Sequence, residues 1–283
     1  MEYFGEGRRL EQQNDTLQRR RLSEHILGGP YPFVPSPSNE HGYGHGILVG
    51  WSISLSSDGS RLAVGAPGFN NGAGAVQVYE WSISRWVELG GTLIGEQGAY
   101  SGSAVSLSAD GTRLAVGEPR DAPISNPANA SVAGRVRVYD LLNGDAWVRL
   151  GADVSFGSEG QSDFFGWSIS LSSDGARLAV GAPAANTGAG GVAVFECNSI
   201  SWVLLGYAAL GEVAESNSGF SVSLSSDGAR LAVGAPSIRS GAHIRSGYAS
   251  VYEWSELSRT PGSYHWALLG ARIAGDKVGD RSG

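Results

Sequence analysis

The stretch SLSSDGSRLAVGAP at residues 54–67 returns as SLSADGTRLAVGEP at 106–119, and as SLSSDGARLAVGAP at both 170–183 and 223–236. The aspartates of the four D-G pairs, Asp58, Asp110, Asp174 and Asp227, are 52, 64 and 53 residues apart. A second marker, W-x-x-L-G, follows each copy and begins at Trp86, Trp147, Trp202 and Trp266. Self-similarity at a period of about 20–50 residues or slightly more is the signature of repeat architectures. The fold must therefore be read unit by unit.

Within a unit the hydrophobic period is two, which is the period of a strand. Trp51, Ile53 and Leu55 alternate with Ser52, Ser54 and Ser56. The D-G that follows predicts a hairpin, because Gly accepts positive φ without a steric cost. A second strand is predicted at 61–65, small or apolar on both faces as in a sheet covered on both sides. A third is predicted at 75–81, with counterparts at 136–139, 192–195 and 249–254, and a fourth at 86–89. Four short antiparallel strands per unit predict an all-β chain folded as a β-propeller of four-stranded blades. The Ser-rich first strand is expected at the crowded inner position and the Trp strand at the outer one. The units are placed near 46–95, 96–157, 158–211 and 212–275, within a propeller region at 46–283. Residues 1–45 read as a tail and Pro-rich linker. The closing Asp280-Arg-Ser-Gly283 matches the Ser-Gly lead-in of a unit, so a fifth unit and a larger propeller are expected.

Composition narrows the function classes. Charged residues are 17% of the chain and Gly is 43 of 283. That Gly content is about twice the usual share and suits many short strands and tight turns. A net charge of −7 lacks the basic footprint of a nucleic-acid binder. No stretch approaches the ~18 apolar residues of a membrane span. One cysteine, Cys197, excludes an internal disulfide and a multi-cysteine zinc site. No secretory signal is visible at the N-terminus. The five histidines are scattered, and no G-x-S-x-G, H-E-x-x-H or P-loop pattern occurs. An enzyme is not expected, nor is any cofactor or metal.

The pattern G-x-S-x-S-L-S…D-G…L-x-V-G-A-P, with Phe165-Gly166 ahead of one copy, resembles the FG-GAP repeat of integrin α-subunit propellers. The resemblance covers residues 46–283. It implies an extracellular or cell-surface propeller used for adhesion or ligand binding, with a protein or glycan as partner. Two features depart from that pattern. The Phe-Gly is replaced by Val49-Gly50, Ser101-Gly102 and Ser218-Gly219 in the other units. The family's calcium loop carries several carboxylates, whereas each loop here keeps one Asp and neutral hydroxyls. Calcium takes six to eight oxygens with affinity set partly by carboxylate count, so these loops read as hairpin turns.

Candidate binding residues follow from where the units differ. Units two and four are longer than units one and three between the second strand and the Trp strand. Their insertions place Arg120, Asp121, Asn126 and Asn129 in one loop, and Arg239, His243 and Arg245 in another. Loops on a rigid scaffold commonly carry function. These loops leave the fold on the side opposite the D-G hairpins. Asn129-Ala-Ser131 and Asn14-Asp-Thr16 are glycosylation sequons. The expected function is a binding module acting through these loops. The alternatives are a lectin-like propeller with sugar sites between blades, or a polysaccharide-processing enzyme with carboxylates gathered at the axis. The repeated Trp and the repeated Arg61, Arg113, Arg177 and Arg230 read as packing and pairing groups.

Overall fold

A computed structural model of the protein describes residues 46–119, 134–155, 163–208, 216–236, 247–256 and 264–275. They form four antiparallel sheets, one per repeat. The first sheet comprises β1 (Ser52–Leu55), β2 (Arg61–Ala66), β3 (Ala75–Ser82) and β4 (Arg85–Glu88), with β5 (Leu93–Ile94) also on β3. The second comprises β6 (Ala104–Leu107), β7 (Arg113–Glu118) and β8 (Arg135–Leu142), with β9 (Ala146–Arg149) and β10 (Val154–Ser155) both on β8. The third runs β11 (Ser168–Leu171), β12 (Arg177–Gly181), β13 (Val192–Cys197) and β14 (Trp202–Ala208) in order. The fourth runs β15 (Ser221–Leu224), β16 (Arg230–Ala235), β17 (Tyr248–Glu256) and β18 (Tyr264–Leu268), with β19 (Ile273–Ala274) on β17. First strands neighbour one another from sheet to sheet, β1 on β6, β6 on β11 and β11 on β15. The arrangement is a β-propeller of antiparallel blades. No helix among the described residues is long and apolar enough to cross a membrane.

The recurrent S-x-D-G has a local cause. In the first hairpin the Ser56 hydroxyl donates to Asp58 Oδ1 at 2.6 Å and accepts the Arg61 N–H at 2.9 Å. Asp58 Oδ1 also accepts the Ser60 N–H, an Asx-type turn. Gly59 supplies the left-handed residue, at φ 70°. The same Ser–Asp–backbone arrangement recurs at Ser108 with Asp110, Ser172 with Asp174, and Ser225 with Asp227.

Blade stacking is governed by glycine. A Cβ on Gly65 would lie 2.1 Å from the carbonyl oxygen of Gly102, on Gly117 2.1 Å from that of Gly166, and on Gly181 2.0 Å from that of Gly219. Strand two of each blade thus lies directly against the turn that leads into the next blade. Around this contact the core residues interdigitate, with Val76, Val78, Val105, Leu107 and Trp147 in one cluster. Three further links repeat. Leu107, Leu171 and Leu224 donate their N–H groups to the hydroxyls of Ser54, Ser106 and Ser170 in the preceding blade. Ser57 N–H binds Ala109 O, Ala109 N–H binds Ser173 O, and Ser173 N–H binds Ser226 O. Arg61, Arg113 and Arg177 each pair with an acid of their own blade and donate to Gly111, Gly175 and Gly228 O of the next.

Three of the repeated tryptophans, Trp147, Trp202 and Trp266, also pack between blades, while Trp86 packs on Trp81 of its own blade. The Trp147 indole N–H donates to Leu89 O at 3.0 Å, and its ring lies where a Cβ on Gly90 would fall. Arg113 lies 5.9 Å from the ring centre of Trp202, a cation–π contact across the second blade interface.

Gly117→Ala is expected to lower the unfolding free energy by about 2–3 kcal/mol, because the clash is with backbone that cannot rotate away. Gly206 is the control. It lies within β14, and an added Cβ there meets nothing closer than 3.6 Å. Gly206→Ala should change stability by less than about 0.5 kcal/mol. Urea unfolding followed by tryptophan fluorescence measures both.

Candidate functional site

Each unit enters its first strand through the same tight turn. The turns span 48–51, 100–103, 164–167 and 217–220. They open on a residue with left-handed backbone, Leu48, Tyr100, Phe164 or Asn217, and carry Gly at φ 81°, 84°, 90° and 86° in their third position. The fourth residue returns its N–H to the carbonyl of the first at 3.1 Å in every unit. The residue before the Gly is buried in the last three units, as Ser101, Phe165 and Ser218, and exposed in the first, as Val49. The residue after the Gly, which is Trp51, Ser103, Trp167 or Phe220, stands at the axial mouth.

Those four residues, with Leu48, Tyr100, Pro67 and Pro119, line a cavity of about 440 Å³. It lies where all four first strands begin, so it is axial and opposite the D-G hairpins. The Trp167 and Phe220 rings are 5.6 Å apart between centres, and Phe164 packs edge-on to Trp167 at 6.1 Å. The Ser103 hydroxyl donates to Tyr100 O at 2.7 Å. Among the described residues, the lining holds no carboxylate, amine, guanidinium or imidazole.

A polar assembly is built at the end of β7 and the start of β8. Glu118, where the other units have Ala66, Ala182 and Ala235, is 1% exposed. It accepts the Arg135 Nε at 2.7 Å and the Arg137 Nη1 at 3.2 Å. Glu96 and Asp153 complete the pairing of both arginines, and Arg149 pairs with Asp153. Hydrogen bonds from Arg135 and then Arg137 hold the Glu96 carboxyl below its usual range, against the opposing effect of burial. Three arginines balance three carboxylates, so the assembly has no net charge to offer an ion. It replaces the small residues of the other units with a paired interior.

The D-G aspartates are turn-forming groups. Hydrogen bonds from Ser56 and then Ser60 lower Asp58 from 3.8 to about 2. Asp174 and Asp227 are lowered by the hydroxyls of Ser172 and Ser225 and by backbone N–H donors. At Asp110 burial pushes upward, and the bonds from Ser108 and Thr112 outweigh it.

The residues singled out from the sequence, Arg120, Asp121, Asn126, Asn129, Arg239, His243 and Arg245, lie outside the described residues. Their loops follow β7 and β16, whose ends point to the cavity pole, and Pro119 at the root of the first loop lines the cavity. The residues after the turn glycines escaped the sequence reading, which took Trp51 as the first apolar position of an alternating strand. A signal was present. That position reads Trp, Ser, Trp, Phe within an otherwise constant stretch.

The sequence matches no family model and no curated protein. The fold is similar to the crystal structure of a candidate 6-phosphogluconolactonase from Bacteroides uniformis, with TM-score 0.50 and 13% identity over 82% of this chain and 55% of that one. A second candidate 6-phosphogluconolactonase, from Bacteroides fragilis, gives TM-score 0.50 and 14% identity over 81% and 55%. TolB from Acinetobacter baumannii gives 0.44 and 17% over 82% and 44%. The chain spans about half the length of these solved structures.

These findings correct the resemblance to FG-GAP repeats of integrins: no family model matches, and the fold is similar to propellers of the candidate 6-phosphogluconolactonases. The physical reason is visible in the blades. The D-G, L-x-V-G-A-P and turn-glycine positions serve the Asx turn and the glycine contact between blades, so they report blade geometry and not kinship with integrins. The adhesion-type function inferred from that resemblance is corrected with it, since the similar structures include candidate lactonases and lend adhesion no support. The lectin-like alternative placed sugars between blades, where Trp147 and Gly90 are already in contact. The polysaccharide-processing alternative needed carboxylates at the axis, and the described residues lining the axial cavity include none.

A carboxylate held below its unfolded value contributes stability that is complete above that value and is lost as pH falls through the folded one. The melting temperature should therefore fall as pH drops from about 4 to about 2. Ser56→Ala should move the Asp58 titration midpoint up from about 2 towards 3.8, read by carboxyl ¹³C NMR. An unmoved midpoint would show that the Ser56 hydroxyl is not its principal donor.

Proposed function

We propose that this propeller is a small-molecule-binding protein that holds a flat apolar ligand at its axial mouth and does not transform it. The observation that carries the reading is the convergence of Trp51, Trp167, Phe220 and Leu48, supplied by three different blades, on one cavity. Its volume of about 440 Å³ lies within the range of ligand pockets, which are mostly apolar and carry few polar groups. Rings in such a position gain by offset or edge contact with a planar partner. Binding without turnover fits the lining, because general acid–base chemistry needs a titratable group within hydrogen-bond reach of the ligand. The hydroxyl of Ser103 is engaged with Tyr100 O, and none of the described lining residues is a base.

The 6-phosphogluconolactonase description belongs to the similar structures. At 13% and 14% identity they bear on the fold alone. A phosphorylated substrate would also require cationic groups, and the described lining residues supply none.

Nile red, planar and uncharged, tests the reading by fluorescence titration. One probe should bind per chain, and Trp167→Ala should weaken it by about tenfold, near the 1.4 kcal/mol of one decade and within the range for lost aromatic contact. Phe220→Ala should act in the same direction, with the β-sheet circular dichroism of both variants unchanged. Binding that survives Trp167→Ala but is lost in Ile53→Glu would overturn the assignment and place the probe on the outer face of β1.

A further inference from the structure

The three blade interfaces are variations on one design, and the chain carries both halves of a fourth. On the last blade, Ser221, Ser223, Ser226 and Arg230 stand where Ser168, Ser170, Ser173 and Arg177 reach forward to the next blade. On the first blade, Gly50, Leu55, Ser57 and Gly59 stand where Gly102, Leu107, Ala109 and Gly111 receive those contacts. Exposure marks both halves as unfilled. Arg230 has a side chain 60% exposed, against 18–20% for Arg61, Arg113 and Arg177. Ile53 and Leu55 are 65% and 56% exposed, against 8% and 7% for Val105 and Leu107 in the same positions of blade two. Ala63, Ala115 and Ala179 are fully buried, and their counterpart Ala232 is exposed.

Shape complements the hydrogen bonding. The free face of the last blade holds a recess of about 170 Å³ lined by Ser221, Val222, Ser223, Ala232, Val233, Gly234 and Ala249. The free face of the first blade presents the large side chains Ile53 and Leu55. Inside the chain, Val105 and Leu107 pack against the first blade's Ala63 and Val76 in one cluster.

We propose that a second copy of this chain docks head to tail, setting the β1 face of one copy on the β15–β16 face of the other. Ser223 Oγ then accepts the Leu55 N–H, Ser221 Oγ donates to Gly50 O, the Ser226 N–H donates to Ser57 O, and Arg230 donates to Gly59 O. Gly234 provides the missing Cβ where Gly50 O must approach, as Gly65 does for Gly102 O. The partner is a copy of this chain because donor matches acceptor, and recess matches projection, between two surfaces of the same sequence. Such a contact is heterologous, so it either closes into a ring or extends.

Sedimentation velocity on the 283-residue chain tests this over about 1–100 µM, the range in which contacts of micromolar Kd are read. The wild type should shift from monomer to larger species with concentration. Ile53→Glu and Ala232→Glu each place a charge on one exposed face only, so each alone should stay monomeric with unchanged circular dichroism. An equimolar mixture should form a dimer and stop there, because one intact β1 face meets one intact β15–β16 face. A wild type that is monomeric throughout, variants that still associate alone, or a mixture that remains monomeric would each overturn the proposal.

Discussion

Strand two of one blade and the entry turn of the next meet backbone to backbone, and the remaining architecture depends on that approach. A Cβ at Gly65, Gly117 or Gly181 would lie about 2 Å from a carbonyl oxygen of the neighbouring blade, well inside any van der Waals contact. Only glycine allows the distance, and the entry turn needs its own glycine because its backbone is left-handed there. With the spacing set, the serine hydroxyls of each first strand come within 2.9–3.0 Å of the next blade's N–H groups. The alternating hydrophobic side chains then have one register in which to pack. The near identity of the 14-residue stretches follows, since every copy must offer the same contact surface in front and behind.

Polar groups serve this stacking economically. The chain is poor in charge, and many of its charged side chains are spent on joining blades. Arg61, Arg113 and Arg177 are each tied to an acid of their own blade and to a carbonyl of the next, so each reports the relative position of two blades at once. Unit two goes further and buries Glu118. A buried carboxylate is costly unless paired and hydrogen-bonded, and Arg135 and Arg137 meet that requirement. The resulting assembly of three arginines and three acids is neutral and stands where neighbouring units pack alanine.

Variation is admitted where stacking does not forbid it. The residue after each turn glycine leaves the blade at the axial mouth, beyond the interface, and its identity is free to differ. Trp, Ser, Trp and Phe at this position produce an asymmetric apolar mouth on a nearly symmetric scaffold. The D-G end is the reverse case. Its hydroxyls and carboxylates close their own turns, which leaves that pole uniform from blade to blade.

The sequence alone determined the repeat, the strand order within each unit, the hairpin turns and the propeller, because these depend on a period of two and on glycine and Asx chemistry within a few residues. It also showed that the repeated Trp and Arg must share one role, although not which neighbour they touch. The axial cavity, the paired interior around Glu118 and the two unfilled blade faces emerged only in the tertiary structure. Trp51, Tyr100, Trp167 and Phe220 are about 50–65 residues apart along the chain, and no local pattern reveals that their turns open on one cavity. Glu118 and Glu96 stand in unremarkable places in the sequence until β8 brings Arg135 and Arg137 between them. Exposure of Ile53, alongside burial of Val105 at the equivalent position, likewise depends on whether another blade lies in front. A repeat encodes the contact, while the presence or absence of a neighbour is a property of position in the stack of blades.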